Sequence, residues 1–354
     1  MYLNKKLLAI SLAAISILCA ACNKTTENQN NTTENTNTKG NVAVDNAILP
    51  EVNDDMAPTD EEKIDISIGL VKNSAPALGA VHLFVNSNNN SAYEKYTPVV
   101  YNTSDELLNA FSSGEINAAV LPSDKAAKCY ETTGCYVTAV TTGCNYYIAE
   151  NGSTVSDIPD LNGKTITVSA EDTMAQSILN IIAKYNNITV NYAAANTTEQ
   201  LINGLKDGSI NLALIQEPYL SRATSENVRS AIDLYDYWND ASDTELVTSC
   251  LVVNKNFVSE NSIAFQFFMK DYQASAPMAK RAAAETAQSA GEFALVDDVN
   301  SSKAAIPGCG ITFKTNEEMK TMLQNFYNII AAENTEILGG QVPQDDFYFI
   351  NENN

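Results

Sequence analysis

Hydroxyl side chains stand at three predicted strand-to-helix turns, positions at which proteins often bind polar ligands. Ser74, Ser123 and Thr173 each lie between a predicted strand and a predicted helix. There the free N–H groups and the positive end of the helix dipole can meet a polar molecule. The same residues also suit plain helix caps, which are the commoner role. The pattern predicts a binding site for a small polar ligand.

An aromatic side chain marks a fourth predicted turn. Tyr219 follows Glu217 and Pro218, directly after an apolar run. An aromatic ring beside a helix start is a common wall for a small ligand when that start faces a cleft. Tyr219 is therefore the strongest single candidate for a ligand contact.

The residue types that usually carry catalysis are sparse. His82 is the only histidine, and it lies on the apolar stretch 78–84. A histidine in that setting is more often packed or on the surface than catalytic, and no nucleophile–base pair accompanies it. Beyond residue 22 the sequence contains no Cys-x-x-Cys motif that would support a structural zinc site. We therefore predict no catalytic residue, no metal and no cofactor.

Five cysteines follow residue 22, and an odd number leaves at least one thiol free or paired elsewhere. Cys129 and Cys135 are the closest pair and can bridge across a helix–loop turn. We expect mostly buried, reduced thiols that act as small apolar side chains. One disulfide remains an open alternative.

The elements that position these residues come from a stretch that occurs twice. Residues 103–121 and 197–215 align without a gap, 94 residues apart. Each copy begins with threonines or serines that can cap a helix, continues with apolar residues at helical spacing, and reaches Gly114 or Gly208 as a stop. A short apolar run follows each glycine and predicts a strand buried on both faces.

The duplication extends on both sides of this stretch. Residues 64–71 and 164–170 predict first strands, and Pro122 and Pro218 each open a further helix. Strands that alternate with helices indicate parallel βαβ units. In open sheets of this kind, ligands lie beyond the carboxyl ends of the strands. We therefore expect two similar α/β lobes that face each other across a cleft.

The chain crosses between the predicted lobes twice, near residues 143 and 247. Lobe 1 comprises 64–142 plus 248–354, and lobe 2 comprises 143–247. Three helices, predicted over 261–274, 277–290 and 316–332, are expected to pack on lobe 1, with Pro277 in a first turn. The aromatic segment near the end of the chain needs a groove in which to dock.

The first 22 residues predict a signal peptide. A short basic segment precedes the apolar residues 7–21, a stretch too short to span a bilayer comfortably. The segment ends in Ala20-Ala21-Cys22 and resembles a bacterial lipoprotein signal, which implies lipidation of Cys22. An ordinary signal peptide cleaved near Ala21 is the alternative.

Residues 23–63 predict a disordered polar tether, because they hold almost no large apolar side chain that could offset the entropy of ordering. The chain carries a net charge of −22 with only three arginines. Such a surface repels nucleic acid and anionic lipid, so a nucleic-acid function is disfavoured.

Several segments, weak individually but specific in their order and spacing, resemble a known family. They resemble the substrate-binding lipoproteins of ABC importers, in the branch related to nitrate, sulfonate and taurine binding proteins and to thiamine-precursor binding proteins. The resemblance covers about 64–349 and implies the two-lobed type II periplasmic-binding-protein fold, in which each lobe is a mostly parallel sheet flanked by helices. The segments are 74–79, 121–127, 161–166, 217–219 and 339–348.

The resemblance also implies positions for the ligand contacts, on the loops after the strands and at the hinge. These positions are Ser74, Ala75, Pro76, Pro122, Ser123, Thr141, Thr142, Gly143, Glu171, Asp172, Thr173, Met174, Glu217, Pro218 and Tyr219.

The charge of these loops departs from the family pattern. Glu171 and Asp172 would oppose an anionic ligand, and they occupy a loop that is often rich in glycine or hydroxyls in relatives. Arg222, one turn past Tyr219, is the only arginine placed to clamp a sulfonate or carboxylate. A neutral or cationic ligand is as well supported as an anion, and acidic loops with aromatic walls suit an amine or a nitrogen heterocycle.

The resemblance implies a monomeric, lipid-anchored solute-binding protein of the cell envelope. It would touch the membrane only through its anchor and deliver a small molecule to an ABC permease and ATPase. Two alternatives remain open: an enzyme on the same fold, similar to thiamine-pyrimidine synthases, and a ligand-sensing surface protein without a permease.

Overall fold

The structure is a computed structural model that describes Leu49 and residues 51–351. The predicted signal peptide, its Cys22 and the tether up to residue 48 lie outside the described residues. The end of the predicted tether is ordered instead: Leu49 is buried, and Asp54 accepts hydrogen bonds from Tyr93 at 2.6 Å and from Lys270 at 2.8 Å. Within the described part of the chain, no helix combines the length and apolar character that crossing a bilayer requires.

Eleven strands and twelve α-helices make up the described fold. The strands are β1 (Asp65–Val71), β2 (Lys95–Tyr101), β3 (Ala118–Pro122), β4 (Cys135–Thr142), β5 (Tyr146–Asn151), β6 (Thr165–Ser169), β7 (Asn191–Ala195), β8 (Leu212–Gln216), β9 (Val228–Asp233), β10 (Ser249–Asn254) and β11 (Ile311–Lys314). The helices are α1 (Ala75–Asn88), α2 (Ser104–Ser112), α3 (Ser123–Thr133), α4 (Ala175–Tyr185), α5 (Thr198–Asp207), α6 (Tyr219–Ala223), α7 (Tyr235–Ser242), α8 (Lys255–Glu260), α9 (Ser262–Arg281), α10 (Ala283–Glu292), α11 (Val299–Ala305) and α12 (Asn316–Asn334).

These strands form two sheets. The first has the order β11-β4-β10-β3-β1-β2, in which β10 and β11 run antiparallel to the other four strands. The second has the order β7-β6-β8-β5-β9, in which only β5 runs against its neighbours. Two mostly parallel sheets flanked by helices confirm the predicted fold class. The lobe boundaries at 142/143 and 247/248 stay a prediction.

The duplicated stretch forms the same elements in both sheets. Thr103 caps α2 and Thr197 caps α5, each by accepting a hydrogen bond of 3.2 Å from a backbone N–H three residues on. Gly114 and Gly208 follow the two helices, both with φ of 78°. The two helices and the strands after them begin 94 residues apart, as the alignment predicts. The prolines differ slightly from expectation, since Pro122 and Pro218 immediately precede their helices instead of opening them.

A close approach holds α2 against the first sheet. Gly69 lies in the middle of β1, and a Cβ atom there would stand 2.3 Å from Leu107 Cδ1 and 2.4 Å from Ile116 Cδ1. Leu107 and Ile116 are both buried in the core. Only the missing side chain of Gly69 lets the two apolar residues pack this deeply.

The predicted break before Pro277 is wrong. Helix α9 runs through Pro277 to Arg281, and the chain turns at Ala282 instead. A proline inside a helix costs about 3 kcal/mol. Tyr272, Ala276 and Ala279 lie buried on one face on both sides of the proline, and their packing offsets this cost.

The prediction that the C-terminal helices pack on lobe 1 is only partly right, because α12 contacts elements that belong to each of the two sheets. It packs against β4 of the first sheet and α4 of the second. The rings of Phe326 and Trp238 of α7 lie 5.9 Å apart, and Asn180 of α4 donates a hydrogen bond of 3.2 Å to Glu333. The final aromatic segment also docks, with Phe347 buried against Tyr130.

We predict that Gly69→Ala lowers the stability of the protein by about 1–3 kcal/mol, because the new Cβ overpacks the core. The melting temperature in thermal unfolding should fall by several degrees. Gly143→Ala is the matched control, since its Cβ would stand 3.6 Å from the nearest atom, Leu246 O. Equal melting temperatures for the parent and Gly69→Ala would contradict the packing account.

Candidate functional site

A cavity of about 140 Å³ lies where the carboxyl ends of strands from both sheets meet. Val71 and Pro122 line it at the ends of β1 and β3, and Ser169 and Gln216 line it at the ends of β6 and β8. This is the edge at which open α/β sheets bind ligands. A larger cavity of about 330 Å³ borders α9 and β11 instead, away from these strand ends.

Ten of the fifteen predicted site residues line the strand-end cavity. They come from the starts of α1 and α4, the end of β3, the first crossing and the start of α6. These residues are Ser74, Ala75, Pro76, Pro122, Thr142, Glu171, Asp172, Thr173, Met174 and Tyr219. That each of them contacts a ligand stays a prediction.

Ser123 and Glu217 are outside the lining because their side chains bond within the protein. The Ser123 hydroxyl donates to Val247 O at 2.7 Å, and its carbonyl accepts from the Tyr327 hydroxyl at 2.8 Å. The Glu217 carboxylate accepts from both the backbone N and the hydroxyl of Ser221, each at 2.9 Å. Their predicted roles in ligand contact are not supported by this placement.

The remaining three predicted residues, Thr141, Gly143 and Pro218, also lie outside the cavity lining. Thr141 is buried and donates to Ser249 at 3.5 Å. The Gly143 N–H donates to Gly310 O at 2.9 Å, so it serves the crossing itself. Pro218 is buried next to the start of α6.

Hydroxyl groups tie the two crossings together at the base of the cavity. Thr142 bonds to Thr248 at 2.8 Å and to Ser249, and Thr248 also donates to Gly143 O at 2.8 Å. Thr142, Thr248 and Ser249 all line the cavity. The region predicted to be the hinge is therefore also part of the cavity wall.

Carboxylates of the protein occupy the helix N-termini of the second sheet. Asp172 accepts hydrogen bonds from Met174 N at 3.2 Å and Ala175 N at 3.1 Å, at the start of α4. Glu171 accepts from the N–H and the hydroxyl of Thr198 at the start of α5, both at 2.8 Å. At the starts of α4 and α5, these N–H groups therefore already have an acidic partner and are not free for an anion.

Two acidic side chains in the cavity have raised pKa values. Burial raises the pKa of Asp124, although Thr173 from the second sheet's side donates a hydrogen bond to it. Burial raises the pKa of Asp172 to about 6, opposed by the hydrogen bond from the Tyr146 hydroxyl at 2.8 Å. Asp124 adds to this rise, so the two carboxyl groups interact.

The positive side chains near the cavity are paired with acids. Lys125 lines the cavity and forms an ion pair of 2.5 Å with Asp105. Arg222, the arginine that the sequence offered for an anion, pairs with Glu199 at 2.6 Å and does not line the cavity. Among the described residues, no arginine lines this cavity.

Several residues of the cavity were not predicted as ligand contacts. Thr103, Ser104 and Thr198 belong to the helix starts of the duplicated stretch, and Asn102 directly precedes it, so the repeat itself held the signal. Further unpredicted lining residues with polar side chains are Asp124, Lys125, Asn145, Ser169, Gln216, Thr248 and Ser249.

The histidine and the cysteines lie elsewhere. His82 is buried on α1, where its Nε2 bonds to the Thr286 hydroxyl at 2.8 Å. The five cysteines within the described range are free thiols. Cys129 and Cys135 are both buried, and the Cys129 thiol bonds to the Thr133 hydroxyl at 2.8 Å.

We predict that Asp124→Asn raises the melting temperature of the ligand-free protein by a few degrees at neutral pH. Because burial raises the pKa of Asp124 on folding, its ionised form destabilises the folded protein at neutral pH. This cost is absent below the unfolded pKa, about 3.9, where the carboxyl is protonated in both states, and it appears as the pH rises through the folded pKa. The gain should therefore shrink as the pH falls toward 4.

Thermal unfolding across this pH range measures the effect. Asp240→Asn on the exposed part of α7 removes the same charge and should leave the melting temperature unchanged. A destabilised Asp124→Asn at neutral pH would mean that the ionised Asp124 supports the ligand-free fold, against our account.

The sequence matches one family over most of its length, and the fold matches solved structures. The family is described as Menaquinone biosynthesis and matches residues 77–331. A search of curated protein sequences gave no match.

Three solved structures illustrate the likeness in fold. An ABC transporter protein from Parabacteroides distasonis is 18% identical, with a TM-score of 0.66 over 80% of this chain and 98% of that one. The ligand-binding component of an ABC-type import system from Staphylococcus aureus, solved with zinc bound, is 13% identical, with a TM-score of 0.64 over 81% and 97%. The periplasmic aliphatic sulphonate binding protein SsuA from Escherichia coli is 13% identical, with a TM-score of 0.61 over 80% and 95%.

These likenesses agree with the two sheets and with the cavity at their facing edges. The chain belongs to the family described as Menaquinone biosynthesis, in the branch that is similar to nitrate, sulfonate and taurine binding proteins, and it has the two-lobed fold of periplasmic binding proteins.

Proposed function

We propose that this protein is an extracytoplasmic, lipid-anchored solute-binding protein that captures a small molecule between its lobes and delivers it to an ABC importer. The observation that carries the proposal is the cavity at the facing strand ends, which residues of both sheets line. Its partners would be an ABC permease and ATPase, and the protein would act as a monomer.

The hinge region supports capture by lobe closure. In this proposal, 64–142 plus 248–354 move as one body and 143–247 as the other. Thr142 and Thr248 join the crossings and also line the cavity, so a bound molecule would contact the hinge directly. Closure around a ligand is the usual motion of two-lobed binding proteins.

The cell-envelope location rests on the first 22 residues. A lipid on Cys22 would hold the protein at the membrane surface, and the part of the predicted tether that precedes Leu49 would give the folded part freedom to reach a permease. Three ABC-transport proteins share the fold, which supports this setting.

An enzyme on the same fold is the second candidate. The description of the family names a biosynthetic pathway, and Asp124 and Asp172 place two carboxyl groups with raised pKa values in the cavity. Such groups suit general acid–base catalysis. We favour binding because the similar structures include ligand-binding transport components. A ligand-sensing surface protein without a permease would use the same cavity.

The first test is ligand binding in the cavity. A screen of amines, pyrimidines, sulfonates, nitrate and small peptides should find a compound that raises the melting temperature with its concentration. Tyr219→Ala should weaken binding of that compound by about 1–3 kcal/mol in calorimetry, with little change in fold stability, because the ring forms one wall.

Tyr185→Ala is the matched control, since Tyr185 is 58% exposed on α4. Equal affinity for the parent and Tyr219→Ala would show that the ligand binds outside this cavity. Conversion of the bound compound into a product on incubation would favour the enzyme.

The second test concerns the anchor. Cys22→Ala should abolish lipidation and leave the protein in the medium or as an uncleaved precursor. Fractionation of cells that express the parent or the variant measures this. Unchanged membrane attachment of the Cys22→Ala protein would contradict the lipid anchor.

A further inference from the structure

The charge of the ligand can be inferred from the hydrogen-bonding groups that the cavity leaves open. One of these is the side chain of Asn145, which lines the cavity and is 2% exposed. Its Nδ2 donates to Glu217 O at 3.1 Å, whereas its Oδ1 has no hydrogen-bond partner in the described part of the chain. A buried acceptor without a donor is costly, so this oxygen points to a ligand that donates.

A second open acceptor is the carboxyl group of Asp124, on the side of the first sheet. Asp124 is 1% exposed, and its carboxyl accepts hydrogen bonds from the Thr173 hydroxyl and from the Lys125 backbone N–H. A carboxylate can accept about four hydrogen bonds. Asp124 therefore keeps acceptor capacity although its own side chain is almost fully buried.

Several groups that could hold an anion already have partners within the protein. Asp172 and Glu171 accept from the N-termini of α4 and α5. Lys125 pairs with Asp105, and Arg222 pairs with Glu199 through Nη2. The Nη1 of Arg222 has no partner among the described residues, but Arg222 does not line the cavity. An anionic ligand would have to displace these contacts and approach Asp124.

A metal ion does not fit the open acceptors as well as an organic cation does. In the described residues, no group of three or more histidine, cysteine, aspartate or glutamate side chains is arranged to hold a metal. The cavity also has room for roughly ten water-sized atoms at about 15 Å³ each. Apolar side chains, among them Val71, Met174 and Tyr219, complete the wall.

We infer, on the basis of the proposed binding function, that the ligand is a small organic cation with a primary ammonium group. Its nitrogen donates hydrogen bonds to Asp124 and Asn145, and its apolar body lies against Tyr219. The interaction with a buried carboxylate supplies both the affinity and the selection against anions.

Benzylammonium is a suitable probe, because it joins an ammonium group to a ring small enough for the cavity. Calorimetry on the folded chain, after removal of any copurified ligand, should give a dissociation constant on the order of millimolar or tighter. Benzyl alcohol, which keeps the shape without the charge, should bind at least about tenfold more weakly, and benzoate should not bind. Asp124→Asn should remove the preference for the ammonium.

Asp240→Asn, which removes an exposed carboxylate on α7, should keep the preference. If Asp124→Asn does not fold, Asp172→Asn provides a second variant of the cavity. Asp172→Asn should also weaken ammonium binding, because it removes a neighbouring negative charge. A preference that survives both substitutions would overturn the inference.

Other outcomes separate this inference from the proposed function. Benzoate or a sulfonate that binds and is weakened by Tyr219→Ala would overturn the inference and leave small-molecule binding intact. Binding of Ca²⁺ or Zn²⁺ that depends on Asp124 would replace the organic cation with a metal. If benzylammonium does not bind, the inference fails, and the broader ligand screen still decides the proposed function.

Discussion

The arrangement of the cavity depends on one electrostatic constraint. Parallel strands of the two sheets end at a common edge, so the helices that follow them direct their N-termini at the same small space. These positive helix ends require negative partners. The protein supplies them itself at α4 and α5, through Asp172 and Glu171. The cavity is therefore acidic although its architecture would suit an anion.

This internal compensation distinguishes the chain from a binding protein that leaves its helix ends free. A solute could neutralise open N–H groups only where no side chain already does so. Here the open groups are acceptors, Asn145 Oδ1 and the Asp124 carboxyl. The fold that the chain shares with a sulphonate binding protein consequently carries no information about the sign of its ligand's charge.

Helix α12 adds a mechanical constraint that the two crossings alone do not impose. Its Phe326 and Glu333 contact α7 and α4, and Tyr327 bonds to the start of α3. The proposed closure about Thr142 and Thr248 would have to preserve or break these contacts. Since Trp238 and Phe326 are fully buried, breaking them would expose apolar surface at a cost of a few kcal/mol.

Local patterns were sufficient to predict the fold but only part of the site. The duplicated caps, helices and glycines are set by neighbours in sequence, which is why Thr103 and Thr197 begin their helices as predicted. The helix break predicted at Pro277 was wrong because the buried packing of α9 outweighs the local helix-breaking preference of proline. Asp124 was not predicted because the sequence does not show which side of α3 faces the cavity. In the structure, Ser123 bonds within the protein interior, whereas Asp124 lines the cavity. Asn145 carries no local signal, since its open oxygen is defined by the assembled crossing.

The most direct measurement is a crystal structure of the protein with a ligand identified by native mass spectrometry. We expect a small molecule in the strand-end cavity, with a nitrogen that donates a hydrogen bond to Asp124 and an apolar group against Tyr219. A ligand in the larger cavity beside Phe265 and Phe313, or an anion seated at the starts of α4 and α5, would contradict it.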